Sequence, residues 1–128
     1  MIRPGVETIV GGRQDPSFGP VVMFGLGGIY VEVMKDVAFR ASPISSRVAQ
    51  EMIASIRAYP LLLGVRGEGR KDTGPVAKLL VRLSQLVVVC FEITDVEVNP
   101  LIVYGQGEGV RAVDVRILFD PSKEVGGR

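Results

Sequence analysis

Residues 95–118 decide how this chain is read: Asp95-Val96-Glu97-Val98-Asn99-Pro100-Leu101-Ile102-Val103-Tyr104-Gly105-Gln106-Gly107-Glu108-Gly109-Val110-Arg111-Ala112-Val113-Asp114-Val115-Arg116-Ile117-Leu118. Two runs rich in β-branched residues, Asp95 to Tyr104 and Val110 to Leu118, flank a glycine-rich loop, the pattern of an antiparallel hairpin. Successive side chains of a strand point to opposite faces, so Asp95, Glu97 and Asn99 share one face while Val96 and Val98 turn to the core. Centring the loop between Gln106 and Gly107 sets Asn99 opposite Asp114 and Glu97 opposite Arg116, within about one residue of register.

Directly opposed side chains have Cβ atoms ~4.5–5.5 Å apart, close enough for an amide oxygen and a carboxylate to share one cation. Glu97 adjoins that pair. Oxygen ligands without His or Cys suit magnesium, which keeps several waters and completes its shell from substrate phosphates. A solvated acidic hairpin face is the competing reading of the same spacing.

Upstream, the period is helical. Val48, Ala49, Met52, Ile53 and Ile56 fall on one side from Ser46 onward, with Arg47, Gln50, Glu51 and Arg57 on the other, and Pro60 marks the end. Val76, Leu79, Leu80, Leu83, Leu86 and Val87 form a second stripe, with Thr73 and Pro75 as its start signal. Between them the polar stretch 64–72 is expected to be a mobile loop. Both stripes read as core.

The entry is glycine-rich: seven of the 16 glycines lie in the first 28 residues. Val6 to Val10 and Val21 to Phe24 read as strands, joined by a segment from Gly11 to Pro20 with turn chemistry throughout. Ile29 to Val33 and Val37 to Arg40 continue a meander. The order ββββ, α, α, ββ predicts an α+β fold, a mainly antiparallel sheet with two main helices. Gly25-Leu26-Gly27-Gly28 follows a strand and could let backbone N–H groups approach an anion, or form only a tight turn or bulge. It is no Walker loop, because no Gly-Lys-Ser/Thr follows.

Composition narrows the chemistry. Of 128 residues 47% are hydrophobic, with 15 basic against 14 acidic, so no basic surplus argues for nucleic acid or an anionic membrane. Histidine is absent, which removes a His base, a His metal ligand and a phosphohistidine from this chain. The single cysteine, Cys90, closes no intrachain disulfide and reads as core. No apolar run reaches the ~20 residues of a membrane span, and the start lacks a signal-peptide h-region. A cytoplasmic protein with small-molecule or protein partners is expected.

The segments Pro4-Gly5-Val6-Glu7-Thr8-Ile9-Val10-Gly11, Asp15-Pro16-Ser17-Phe18-Gly19-Pro20 through Glu32, and Glu97-Val98-Asn99-Pro100-Leu101 resemble the ATP-grasp domain of ADP-forming acetyl-CoA synthetases, in the succinyl-CoA synthetase superfamily. The resemblance runs from Met1 to about Leu118. It implies reversible conversion of acyl-CoA, ADP and phosphate to free acid, CoA and ATP through acyl phosphate and phosphohistidine intermediates. Asn99 and Asp114 then correspond to the holders of Mg2+ at the phosphates of ATP or ADP. Glu97 corresponds to a catalytic residue near the phosphoryl group, with Arg40 adding positive charge. Glu7 corresponds to the ribose contact, and Gly27 and Gly28 to nucleotide-binding backbone. Val89-Cys90-Phe91-Glu92 stands where relatives carry Asp-Phe-Pro-Glu, a departure at a helix end. Residues 1–120 would form the C-terminal half of the ATP-grasp domain and 121–128 a flexible tail. The implied partners are the N-terminal half of the domain and a CoA-binding alpha subunit carrying the phosphohistidine, in an oligomer, with no activity expected of this chain alone. A truncated, non-catalytic nucleotide-binding or assembly module is the alternative.

Overall fold

A computed structural model describes residues 4–27, 36–64 and 69–122. Its elements are β1 (Val6–Asp15), β2 (Gly19–Leu26), β3 (Val37–Ala41), α1 (Ser46–Ser55), α2 (Tyr59–Leu63), α3 (Thr73–Val89), β4 (Ile93–Val103), β5 (Val110–Ala112) and β6 (Val115–Phe119). The strands form one sheet in the order β3-β2-β1-β4-β5, with β6 also on β4, and every pairing is antiparallel. This is the α+β architecture that the periodicity predicts. The Ile29 to Val33 segment of the meander lies outside the described residues.

The helices cover one face. Met52 and Ile53 of α1, with Val76, Leu80 and Val87 of α3, pack on Val10, Val22, Phe24, Val96 and Val98 of the sheet. Burial of such side chains contributes about 1.5–3 kcal/mol each. Ser45 caps α1 by accepting from the Val48 N–H at 3.2 Å. Inside α3, the buried Ser84 hydroxyl accepts from the Ile44 N–H and donates to the Val81 carbonyl, tying α3 to the segment that leads into α1.

Several local expectations are corrected. The segment Gly11 to Pro20 is not turn throughout, because β1 runs on to Asp15 and only Pro16 to Phe18 reverse the chain. Its glycines serve close approach instead. A Cβ on Gly11 would lie 2.8 Å from the Val96 carbonyl oxygen, and one on Gly12 2.9 Å from Val87 Cγ1. Pro60 does not end α1. The helix stops at Ser55 because the buried Asp36 carboxylate accepts from the N–H groups of Arg57 and Ala58, at 2.6 and 2.8 Å, which a continuing helix would need. Pro60 falls in the first turn of α2, where a missing N–H is harmless.

The N-cap of α3 is Asp72, not Thr73, and its carboxylate accepts from the Gly109 N–H at 2.8 Å instead of capping the helix. Of the stretch expected to be mobile, residues 65–68 lie outside the description. Its end is pinned: Lys71 N donates to Leu62 O, Asp72 N to Tyr104 O, and Gln106 N to Arg70 O. Cys90 is the half-buried C-cap of α3 and not a core residue. Among the described residues no helix is long and apolar enough to cross a membrane.

Candidate functional site

The face of the sheet away from the helices carries the candidate residues, and β4 supplies the axis. Val96 and Val98 are buried toward the helices, which leaves Asp95, Glu97 and Asn99 half-buried on the open face. The hairpin register is the one that the sequence predicts, with Glu97 paired to Arg116 and Val98 to Val115 on β6. Asn99 N donates to Asp114 O at 3.0 Å, so the two residues stand opposite each other along the backbone.

The second strand of the hairpin is not continuous. It divides into β5 and β6 with Val113 and Asp114 between them, opposite Pro100 and Asn99. Pro100 has no N–H to donate, which interrupts the ladder at this point, although Val113 N still donates to Pro100 O at 3.1 Å. On its other side β4 is also irregular. Thr8 pairs with Leu101 and Val10 with Val98, so Asn99 and Pro100 together oppose Ile9 alone. That two-against-one count is a β-bulge, a device that re-aims side chains beside functional sites. The Asn99–Pro100 peptide is cis.

Gly27, just past the end of β2, meets the Asn99 side chain across β1. Its N–H donates to the Glu7 carbonyl at 2.9 Å, and a Cβ built on it would lie 3.1 Å from Asn99 Oδ1 and 2.8 Å from Thr8 O. Glu7 is exposed on the same open face, paired with Ile102 of β4. The fold therefore sets Asn99 opposite Asp114 at the bulge, with Gly27 reaching the Asn99 side chain, while Glu7 lies further along the same face on the rung of Ile102. On the other side of Asn99, Glu97 and Arg116 form a rung, 3.7 Å apart at Oε2 and Nη2.

Arg40 is not brought to this row. It pairs with Val22, whose side chain is buried against the helices, and its guanidinium donates to the Phe39 carbonyl at 2.7 Å. Its position on edge strand β3 and the helix-bearing side separates it from Glu97. Gly28 lies outside the described residues.

Sequence reading missed the floor beside Glu97. A small open hollow of about 90 Å³ is lined by Gly11, Arg13, Met23, Phe39, Asp95 and Glu97, among others. Met23 reaches it because Gly11, its partner in the β1–β2 ladder, has no side chain. Only the full register of β1, β2 and β3 brings these residues together, and short-range periodicity carries no such signal.

The donor set at Asn99 and Asp114 is two oxygens. Among the described residues no group of three or more His, Cys, Asp or Glu could hold a metal on its own. The arrangement fits an ion that takes a minority of its ligands from protein and the rest from water and phosphate, as magnesium does. It does not fit a closed structural metal site. At the β1–β2 tip, the N–H groups of Phe18 and Ser17 donate to the Asp15 carboxylate and, with Arg13 at 3.2 Å, hold its pKa below the usual value.

Comparison with known proteins gives a consistent picture. Residues 1–119 match the model of a family described as ATP-grasp domain. The chain is 48% identical, over 91% of its length, to 4-hydroxybutyrate–CoA ligase [ADP-forming] of Nitrosopumilus maritimus, of which it covers 17%. It is 46% identical, over 93% of its length, to the beta subunit of acetate–CoA ligase [ADP-forming] II of Pyrococcus furiosus, of which it covers 51%. Among solved structures it resembles acetyl-coenzyme A synthetase 1 of Ca. Korarchaeum cryptofilum, with a TM-score of 0.87 and 43% identity, covering 93% of this chain and 55% of that one. That protein was captured with coenzyme A and Mg-AMPPCP, its phosphohistidine segment pointing towards the nucleotide binding site. The chain thus spans about half the length of the beta subunit and under a fifth of the 4-hydroxybutyrate–CoA ligase.

Proposed function

Because the chain belongs to the ATP-grasp domain family, we propose that it forms the nucleotide-phosphate and magnesium side of an ADP-forming acyl-CoA synthetase, serving phosphoryl transfer between a partner's phosphohistidine and ADP. The observation that carries this reading is the opposition of Asn99 and Asp114 at the bulge, with Gly27 against the Asn99 side chain and Glu97 on the next rung. Residues 1–120 are the C-terminal half of the ATP-grasp domain in this reading, and most of the expected 121–128 tail lies outside the described residues.

Asn99 Oδ1 and the Asp114 carboxylate would hold Mg2+, which when bound neutralises phosphate charge and fixes the phosphate oxygens. Glu7 accepts hydrogen bonds from the ribose hydroxyls. Gly27 lets the Asn99 side chain pack close against its backbone, and Glu97 borders the group in transfer. Positioning and charge compensation are the main demands of phosphoryl transfer, and this face meets them with side chains fixed by sheet register. The 128 residues contain no histidine, so the phosphohistidine is supplied from outside them, in this reading by a CoA-binding alpha subunit. The N-terminal half of an ATP-grasp domain completes the cleft, in a cytoplasmic oligomer. Arg40, on the opposite side of the sheet, has no part in this reading.

The test is reconstitution of the chain with those two partners, followed by assay of Mg-dependent ATP formation from acyl-CoA, ADP and phosphate. Asn99→Ala and Asp114→Ala are expected to abolish it with the fold unchanged. Full turnover in both variants would overturn the proposal.

A further inference from the structure

β6 carries one charged residue, and it stands on the functional face. Val115, Ile117, Leu118 and Phe119 are apolar, whereas Arg116 lies directly across from Glu97, two residues beyond Asp114. Its guanidinium approaches Glu97 Oε2 at 3.7 Å, and the side chain remains 66% exposed against 28% for Glu97. An ion pair this exposed contributes only about 0–1 kcal/mol to stability, so stability does not account for its placement. Its electrostatic effect on the open face is a different matter. Asp95 and Glu97 put two carboxylates on the open side of β4, with Asp114 opposite Asn99 in the backbone, and acidic groups there repel a phosphoryl anion.

We propose that Arg116 is a positioning residue for phosphoryl transfer: it offsets and orients the Glu97 carboxylate so that an anionic phosphoryl group can approach the rung beside Asn99 and Asp114. This rests on the function proposed above and deepens it. In the step served, an oxygen lone pair of the ADP β-phosphate forms the new P–O bond. The P–N bond of the phosphohistidine breaks, and its electron pair returns to the imidazole nitrogen, which takes a proton from solvent. Total charge on the transferred group and its flanking oxygens stays high throughout. With Arg116 removed, Glu97 faces that charge uncompensated, and the cost falls on transfer and not on Mg-ADP binding, which belongs to the neighbouring rung.

The experiment uses the complex reconstituted with the complementary ATP-grasp half and the CoA-binding subunit, phosphorylated on its histidine. Mg-ADP is added and ATP formation is followed by rapid quench, with Mg-ADP affinity measured separately by calorimetry. Arg116→Ala is expected to slow the transfer by about tenfold or more, the scale of one displaced charge near a reacting group, with affinity unchanged. Arg116→Lys should recover part of the rate. Arg116→Ala placed on Glu97→Gln should cost little further, because the two residues act as a pair. A wild-type rate in Arg116→Ala, while Asn99→Ala stalls, overturns the inference and leaves the function standing. Parallel loss of Mg-ADP affinity and thermal stability without rescue by Arg116→Lys also overturns it, since that is a structural role. A wild-type rate in both Arg116→Ala and Asn99→Ala removes the proposed function and the inference with it.

Discussion

The Asn99 side-chain oxygen lies 3.1 Å from the point that a β-carbon on Gly27 would occupy, and the Thr8 carbonyl oxygen lies 2.8 Å from the same point. Glycine at 27 is therefore a requirement of space between strands β1, β2 and β4. Gly27→Ala must push against backbone, so a loss of about 1–3 kcal/mol in stability is expected, the range for overpacking. Chemical denaturation measures it. Mg-ADP affinity in the assembled domain should fall as well, because the displaced atom is Asn99 Oδ1.

A second close contact can be relieved by design. A Cβ on Gly12 would stand 2.9 Å from Val87 Cγ1, the end of a side chain on α3, while its next neighbours are 3.5 Å away or more. Gly12→Ala should destabilise by about 1–3 kcal/mol. Val87→Ala alone should cost about 1–3 kcal/mol through the cavity that it leaves. The double variant should be more stable than the sum predicts, a coupling that a double-mutant cycle reads directly.

Asp15 gives a pH signature. Phe18 and Ser17 N–H groups, with Arg13, hold its carboxyl below the usual aspartate value of 3.8. A group whose folded pKa is depressed contributes stability above its unfolded pKa and loses it as pH falls through the folded value. The β1–β2 tip should therefore loosen only below pH 3.8, seen as acid-induced shifts of the Ser17 and Phe18 amide resonances. In Asp15→Ala those resonances should show no such transition.

Glu7 tests the nucleotide side apart from the metal. It is exposed and only its backbone carbonyl takes part in the Gly27 contact, so Glu7→Ala should leave stability within about 0.5 kcal/mol of the parent. Loss of a charged acceptor for the ribose hydroxyls should weaken ADP binding by about tenfold or more, measured by calorimetry on the assembled domain. Unchanged affinity would separate Glu7 from the nucleotide.

The hairpin was readable because its information is local: period two along Asp95 to Asn99 and a glycine loop at a definable centre set the register on their own. The helical stripes were readable for the same reason, and Val76, Leu80 and Val87 are buried as their spacing implies. Elements governed by distant partners were not. Gly11 and Gly12 carry turn composition, yet β4 and α3 pass so close that only glycine fits within a continuing strand. Asp36 ends α1 from twenty-one residues away in sequence, and no local pattern signals that. At the site, the Asn99–Asp114 opposition came from the hairpin alone. The bulge opposite Ile9, the Gly27 contact and the position of Arg40 on the other face each required the complete sheet order.

The central claim is that Asn99 and Asp114 together hold the metal of a metal–nucleotide complex. It is tested most directly with Mn2+ in place of Mg2+, added with ADP to the isotope-labelled chain assembled with its complementary ATP-grasp half. The account predicts paramagnetic broadening centred on the amide resonances of Asn99, Asp114 and Gly27, and its loss in Asp114→Asn. Sharp resonances at Asn99 and Asp114 while others broaden, or broadening that persists unchanged in Asp114→Asn, would contradict it.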